Sequence, residues 1–205
     1  KHFPTGYANG YIHTHPELRP KTLRYEYRDF CGPCEHSSLA VPPLEDEDDE
    51  TVIAVSAWKK GDGFFSLKGK PIDLTDKCHD GIIEWSVPEG FYRVYYIIES
   101  KRSLQNRKGY IDMLRKESCE AMLKAVYEPH YEHFKEYFGN TFRGFFSDEP
   151  SFQNDSGSYL HTVGTDGIVM PYREDLPSII GKSLGISERE VSLYLGALWH
   201  DFPGI

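Results

Sequence analysis

Hydrophobic and polar positions change period twice along the chain. Residues 3–10 (Phe3-Pro4-Thr5-Gly6-Tyr7-Ala8-Asn9-Gly10) carry two glycines and an Asn-Gly pair, where left-handed backbone costs little, and read as a loop. From residue 23 to about 100, short runs rich in β-branched and aromatic residues alternate with Gly/Asp/Pro clusters. They predict strands over 23–30, 51–58, 82–87 and 91–99, and together an antiparallel β module. Beyond Tyr110 the spacing becomes three to four. Ala121, Met122, Ala125, Val126, Phe134, Tyr137 and Phe138 predict a helix over 116–138 that stops at Gly139-Asn140 and is kinked or split by Pro129. The apolar run Phe142 to Ser147 then predicts a strand ended by Asp148-Glu149-Pro150. If 91–99 is the strand before the helix, the order is strand, helix, strand, a parallel βα unit. Further helices are predicted over 174–184 and from Ser187-Glu188-Arg189-Glu190, which has the pattern of a capping box.

Composition narrows the function. The net charge of −9 repels a phosphate backbone, and no Lys/Arg stripe interleaves with aromatics, so nucleic acid is not an expected partner. No apolar run is long enough to span a bilayer, so no membrane is expected either. Four cysteines in 205 residues are too few for a disulfide scaffold and favour a reducing, cytoplasmic setting. The run from Glu45 to Glu50 reads as a solvated loop, its like charges repelling one another. The 14 Tyr, 12 Phe and 3 Trp suit a packed core and also a sugar-stacking site.

Three motifs invite chemistry and carry little. Cys31-Gly32-Pro33-Cys34 has the spacing of a thiol redox pair, yet residues 35–43 form no convincing helix to lower a thiol pKa, so a turn with two thiols is expected. His13-Thr14-His15 lacks a third ligand, and His130 with His133 reads as helix packing or solvent-facing surface, so no metal site and no cofactor are expected. Glu149 stands out by address, because an acid at the end of a strand in a βα unit lies where barrel folds place catalytic groups.

Four blocks then carry a resemblance: residues 3–10, Gly109-Tyr110-Ile111-Asp112-Met113-Leu114, Phe142-Arg143-Gly144-Phe145-Phe146-Ser147-Asp148-Glu149-Pro150, and Pro171-Tyr172-Arg173-Glu174-Asp175-Leu176-Pro177. In this order the chain resembles large bacterial glycoside hydrolases related to the α-L-rhamnosidases. The resemblance implies an α/β fold, a partial (β/α)8 TIM barrel with an inserted antiparallel β module: barrel start over 1–22, module over 23–90, barrel continuation over 91–205. It implies hydrolysis of O-glycosyl bonds in plant or host-derived oligosaccharides, Glu149 as the catalytic acid, and Asp148, Tyr7 and Asn9 lining the sugar subsite. Asp148 stands where many retaining barrel glycosidases have Asn. A complete barrel takes about 250 residues before any insertion. The chain is therefore expected to be part of a longer protein, inactive alone for want of the second carboxylate, with an exposed apolar face that favours homo-oligomers. Two other readings stay open: a non-catalytic carbohydrate-binding module with an aromatic platform, and a thiol redox protein using Cys31 and Cys34.

Overall fold

The computed structural model describes residues 5–46, 49–61, 67–101, 109–146, 152 and 168–200. Contacts gather the chain into two compact units. One, here the helical unit, comprises Lys1–Thr22, Lys101–Tyr159 and Pro171–Arg173; the other, the sheet unit, comprises Leu23–Ser100, Leu160–Met170 and Glu174–Ile205.

Two long strands dominate the sheet unit, β1 (Lys21–Ala40, whose first two residues belong to the helical unit) and β5 (Ile82–Ser100). With β2 (Thr51–Lys60), β3 (Leu67–Asp73) and β4 (Cys78–His79) they form a sheet ordered β3-β2-β5-β1, with β4 paired to β5. β2 runs antiparallel to β3 and to β5, with Val55 opposite Tyr96 and Ala57 opposite Val94. β4 is antiparallel to β5 as well. A sixth short strand, β6 (Met170–Tyr172), straddles the boundary between the units.

Alternation sorts the side chains between two faces. Val55, Ala57, Val94, Tyr96 and Ile98 join Leu39, Leu74, Ile83, Trp85 and Val87 in one core, whereas Trp58 and Tyr95 point to the opposite face beside Tyr25 and Tyr194. That second face is covered by the segment holding α3 (Leu176–Leu184) and α4 (Glu188–Leu193), with Tyr194 edge-on to Trp58 at 5.1 Å. The cap of α4 is as the sequence spells it, Ser187 Oγ accepting the Glu190 amide at 3.1 Å. One close approach fixes the two long strands: a Cβ on Gly32 would lie 1.9 Å from the Pro88 carbonyl oxygen, so β1 meets β5 where only glycine fits.

Charges inside this unit are paired. Arg93, 7% exposed, donates through Nε and Nη2 to the two oxygens of Asp29 (2.8 and 2.9 Å) while lying 3.9 Å over the Tyr27 ring, and Lys60 Nζ reaches the same carboxylate at 2.9 Å. Hydrogen bonding to Arg93, opposed by burial and helped by Lys60, takes the Asp29 carboxyl down to about 2. Glu50 accepts from Arg24 Nε and Nη2 at 2.7 and 2.6 Å, its side chain fully covered. Thus the last residue of the acidic run folds into the unit and is not solvated, because a guanidinium waits for it.

The helical unit is built around α1 (Lys116–Met122) and α2 (Glu128–Phe134), joined by a π turn over Leu123–Tyr127. The predicted helix therefore runs on past Pro129. A proline lacks the N–H and its ring clashes with the carbonyl four residues back. Here the Glu128 amide bonds to Leu123, five residues earlier, and the wider turn takes up the clash. A 3-10 turn, Lys135–Tyr137, ends the helix before Gly139 at φ +85°.

These observations correct the expected architecture. The sheet is antiparallel at every pairing whose register is established, and residues 91–99 are the second half of the single strand β5, running against β2. Residues 142–146 form no strand beyond an isolated bridge of Phe142 with Phe138. No parallel βα unit is present among the described residues, and a partial (β/α)8 TIM barrel is excluded. The cause lies in Tyr92 to Ile98: a nearly continuous apolar run marks a strand buried on both faces, as in parallel barrels. An antiparallel strand covered by a helical segment on one side and its own core on the other reads the same.

Candidate functional site

The helical unit brings two of the four sequence blocks, residues 3–10 and 109–114, into one core. Ala8 and Ile12 pack with Tyr110, Ile111 and Val126, and Tyr7, Met113 and Tyr127 lie against them. The loop 5–14 is clamped to the segment 109–111: the Ile111 amide donates to the Gly6 carbonyl at 2.7 Å, and the Tyr7 and Tyr110 rings meet edge to face at 5.3 Å. Glycine suits this clamp, since a Cβ on Gly6 would lie 2.1 Å from the Tyr110 ring and the ring would have to move. From the last block, Arg173 Nη1 donates to the Leu114 carbonyl at 3.2 Å.

The same loop carries unusual backbone. Ala8 (φ 46°, ψ 44°), Asn9 (φ 55°, ψ 32°) and Gly10 (φ 87°, ψ −4°) are left-handed in succession. An L-residue pays roughly 1–2 kcal/mol for that conformation, with Asn among the more tolerant. Such strain clusters where a loop is shaped for a ligand. Ala8 is buried, Asn9 exposed and Tyr7 half-buried, so Tyr7 and Asn9 sit on one short loop as neighbours of the clamp. Asp148 and Glu149 lie outside the described residues.

Leading up to them is an aromatic surface. Phe145 stacks edge-on to Tyr127 at 4.6 Å and to Phe142 at 5.1 Å, and Phe138 lies on Phe142 at 4.5 Å. Tyr131 and Phe145 are half exposed, and Phe146 is 85% exposed. His130 donates through Nδ1 to the Val126 carbonyl at 2.6 Å and meets Phe145 at 6.0 Å, so that histidine serves the helix surface. His15 is likewise occupied, donating to the Tyr11 carbonyl at 2.8 Å with its ring stacked on Tyr11 at 3.8 Å. Among the described residues no three His, Cys, Asp or Glu side chains group as metal ligands.

One acid was not singled out in the sequence. Asp112, 2% exposed, accepts the Leu114 amide at 2.9 Å, and its own amide donates to Ser118 Oγ at 2.8 Å. Burial pushes its carboxyl above the ordinary carboxylate range against the pull of the Leu114 amide, Arg115 and Arg173. The signal was an acid between Ile111 and Met113, an apolar setting that offers it little water. Cys31 and Cys34 are free and exposed on strand β1, away from any helix N-terminus.

No family model, no curated protein and no solved structure matches this chain. Among the described residues no helix is long and apolar enough to cross a membrane.

Proposed function

We propose that this chain carries the acid of a glycoside hydrolase, with Glu149 protonating the leaving oxygen, Tyr7, Asn9 and Asp148 lining the sugar subsite, and a second carboxylate completing the pair. The observation that supports the reading is convergence: two blocks about 100 residues apart that resemble glycosidase segments, 3–10 and 109–114, pack into one core, and the same unit carries exposed aromatic rings of the kind that suit sugar stacking. Glycoside hydrolysis asks for the placement of two carboxyl groups about 5–9.5 Å apart and not for a particular fold, so the loss of the barrel does not remove the chemistry. Phe145, Phe146 and Phe152 lie within four residues of Glu149 in sequence, and an apolar setting is what the proposed role asks for, because it keeps an acid protonated.

The test is Glu149→Gln in the complete protein, with two substrates of the same sugar. Loss of the transferable proton should slow a poor leaving group by roughly 100-fold to 10,000-fold and largely spare an activated phenol that departs unprotonated. Equal loss on both substrates removes Glu149 as the acid, and unchanged turnover on both removes it from the mechanism.

A further inference from the structure

The described residues hold two buried acids, and only one of them is bonded to a partner of opposite charge. Glu50 accepts from Arg24 with both oxygens. Asp112 is met differently: Oδ1 takes the Leu114 amide at 2.9 Å, while Oδ2 is buried and finds no hydrogen-bond partner among the described residues. The two nearby arginines are directed to carbonyls, Arg115 Nη1 to Glu17 at 2.9 Å and Arg173 Nη1 to Leu114 at 3.2 Å, and act on the carboxylate only through space. The Lys21 backbone amide also favours the charged form, and the neighbouring Cys119 thiol is itself pushed up by burial and by Asp112. An ionised oxygen without a partner costs far more in such a place than a protonated one.

This acid also stands where three stretches of the helical unit are tied together. Its amide donates to Ser118 Oγ at 2.8 Å, and the same hydroxyl donates to the Leu18 carbonyl at 2.9 Å, which joins the segment 109–114 to α1 and to residue 18. One residue earlier, the Ile111 amide holds the Gly6 carbonyl at 2.7 Å, at the start of the loop with left-handed backbone at Ala8, Asn9 and Gly10. We propose that Asp112 is a proton-controlled latch on the loop 5–14, closed while its second carboxyl oxygen carries a proton and loosened once that proton leaves to water. Deprotonation puts an uncompensated charge at the junction. The segment 109–114 relieves it by opening toward solvent, and the bond from Ile111 to Gly6 opens with it. The latch does not rest on the glycosidase reading, since it needs neither substrate nor Glu149.

The experiment is amide hydrogen exchange of the whole chain from about pH 4 to about pH 8, corrected for the intrinsic pH dependence of exchange, beside an NMR titration of the Asp112 carboxyl carbon. Protection of the Ile111 and Leu114 amides should fall as pH rises, by about tenfold for each unit that separates the folded Asp112 pKa from its ordinary value. The fall should share its midpoint with the carboxyl titration and should be absent at Val94 and Tyr96 in the sheet unit. In Asp112→Asn, which keeps the shape and cannot ionise, protection of Ile111 should stay level. The proposal is overturned if the carboxyl titrates at its ordinary 3.8, if the two midpoints differ, if Val94 and Tyr96 fall in parallel, or if Asp112→Asn follows the parent profile. The comparison of midpoints is made in the parent protein and so does not depend on the variant folding.

Discussion

Asp29 and Asp112 are two acids with opposite fates, one partly exposed and one buried, and they mark a difference between the two units. Asp29 in the sheet unit has Arg93 and Lys60 within 3 Å and is held ionised down to about 2. Asp112 in the helical unit is deeper, has backbone amides and two more distant arginines for company, and is pushed toward its neutral form. The sheet unit spends its polar groups on holding strands together. The helical unit keeps a buried acid at Asp112 and three successive left-handed residues at Ala8, Asn9 and Gly10.

The contrast breaks most visibly in the sheet core. Trp58→Ala removes a ring 2% exposed between Tyr95 and Tyr194 and should cost about 3–5 kcal/mol in denaturant unfolding, whereas Tyr7→Ala, half-buried, should cost less than half of that. Next in size, Arg24→Met strands the covered Glu50 carboxylate and should cost about 3 kcal/mol, with part recovered in Arg24→Met/Glu50→Gln. A full cost that survives in the double variant would show that Arg24 acts through packing of its stem and not through charge.

In the helical unit the informative substitutions are at Asn9. Asn9→Val should destabilise by about 1 kcal/mol through its left-handed φ, while Asn9→Gly should be nearly neutral in thermal unfolding. Turnover of the complete protein separates the roles: if Asn9 touches sugar, Asn9→Gly loses activity despite the intact loop, and unchanged activity would make Asn9 a backbone residue only.

The smallest effects come from titration, and the two acids should move in opposite directions. The folded value of Asp29 lies below its ordinary 3.8, so its stabilisation is complete above that pH and disappears as pH falls toward 2. Asp112 has a raised folded value, so its ionisation costs stability as pH climbs through it. Asp112→Asn, which cannot ionise, should therefore gain stability relative to the parent at pH 7 compared with pH 4. A variant whose difference from the parent is flat with pH would show that Asp112 keeps an ordinary pKa.

Local structure was legible where one residue type answers one physical need. Ser187 and Glu190 announce a helix start, Gly139 a stop, and the β-branched and aromatic residues of 51–58 a strand, and each stands where the pattern puts it. The antiparallel direction of the β module was legible, but that of 91–99 was not, because burial on both faces erases the alternation that distinguishes antiparallel sheets. Arg93 carried a hint: a guanidinium inside an apolar run needs a carboxylate on a neighbouring strand, and Asp29 supplies it 64 residues away. Residues 5–10 form the loop that their turn chemistry predicts, and the left-handed stretch at Ala8, Asn9 and Gly10 follows from the Asn-Gly pair. Asp112 escaped notice because no spacing rule marks a lone buried acid.

The π turn over Leu123–Tyr127 has a consequence for the aromatic surface downstream. One residue advances an α-helix by about 100°, so a turn that accommodates one extra residue rotates everything after it by that angle relative to everything before. Tyr131, Phe134 and Phe138 therefore owe their compass bearing to an insertion-like step in chain length, and not only to being aromatic. Deleting a single residue from the turn would leave the composition of the helix almost unchanged while turning these rings to a new bearing relative to α1.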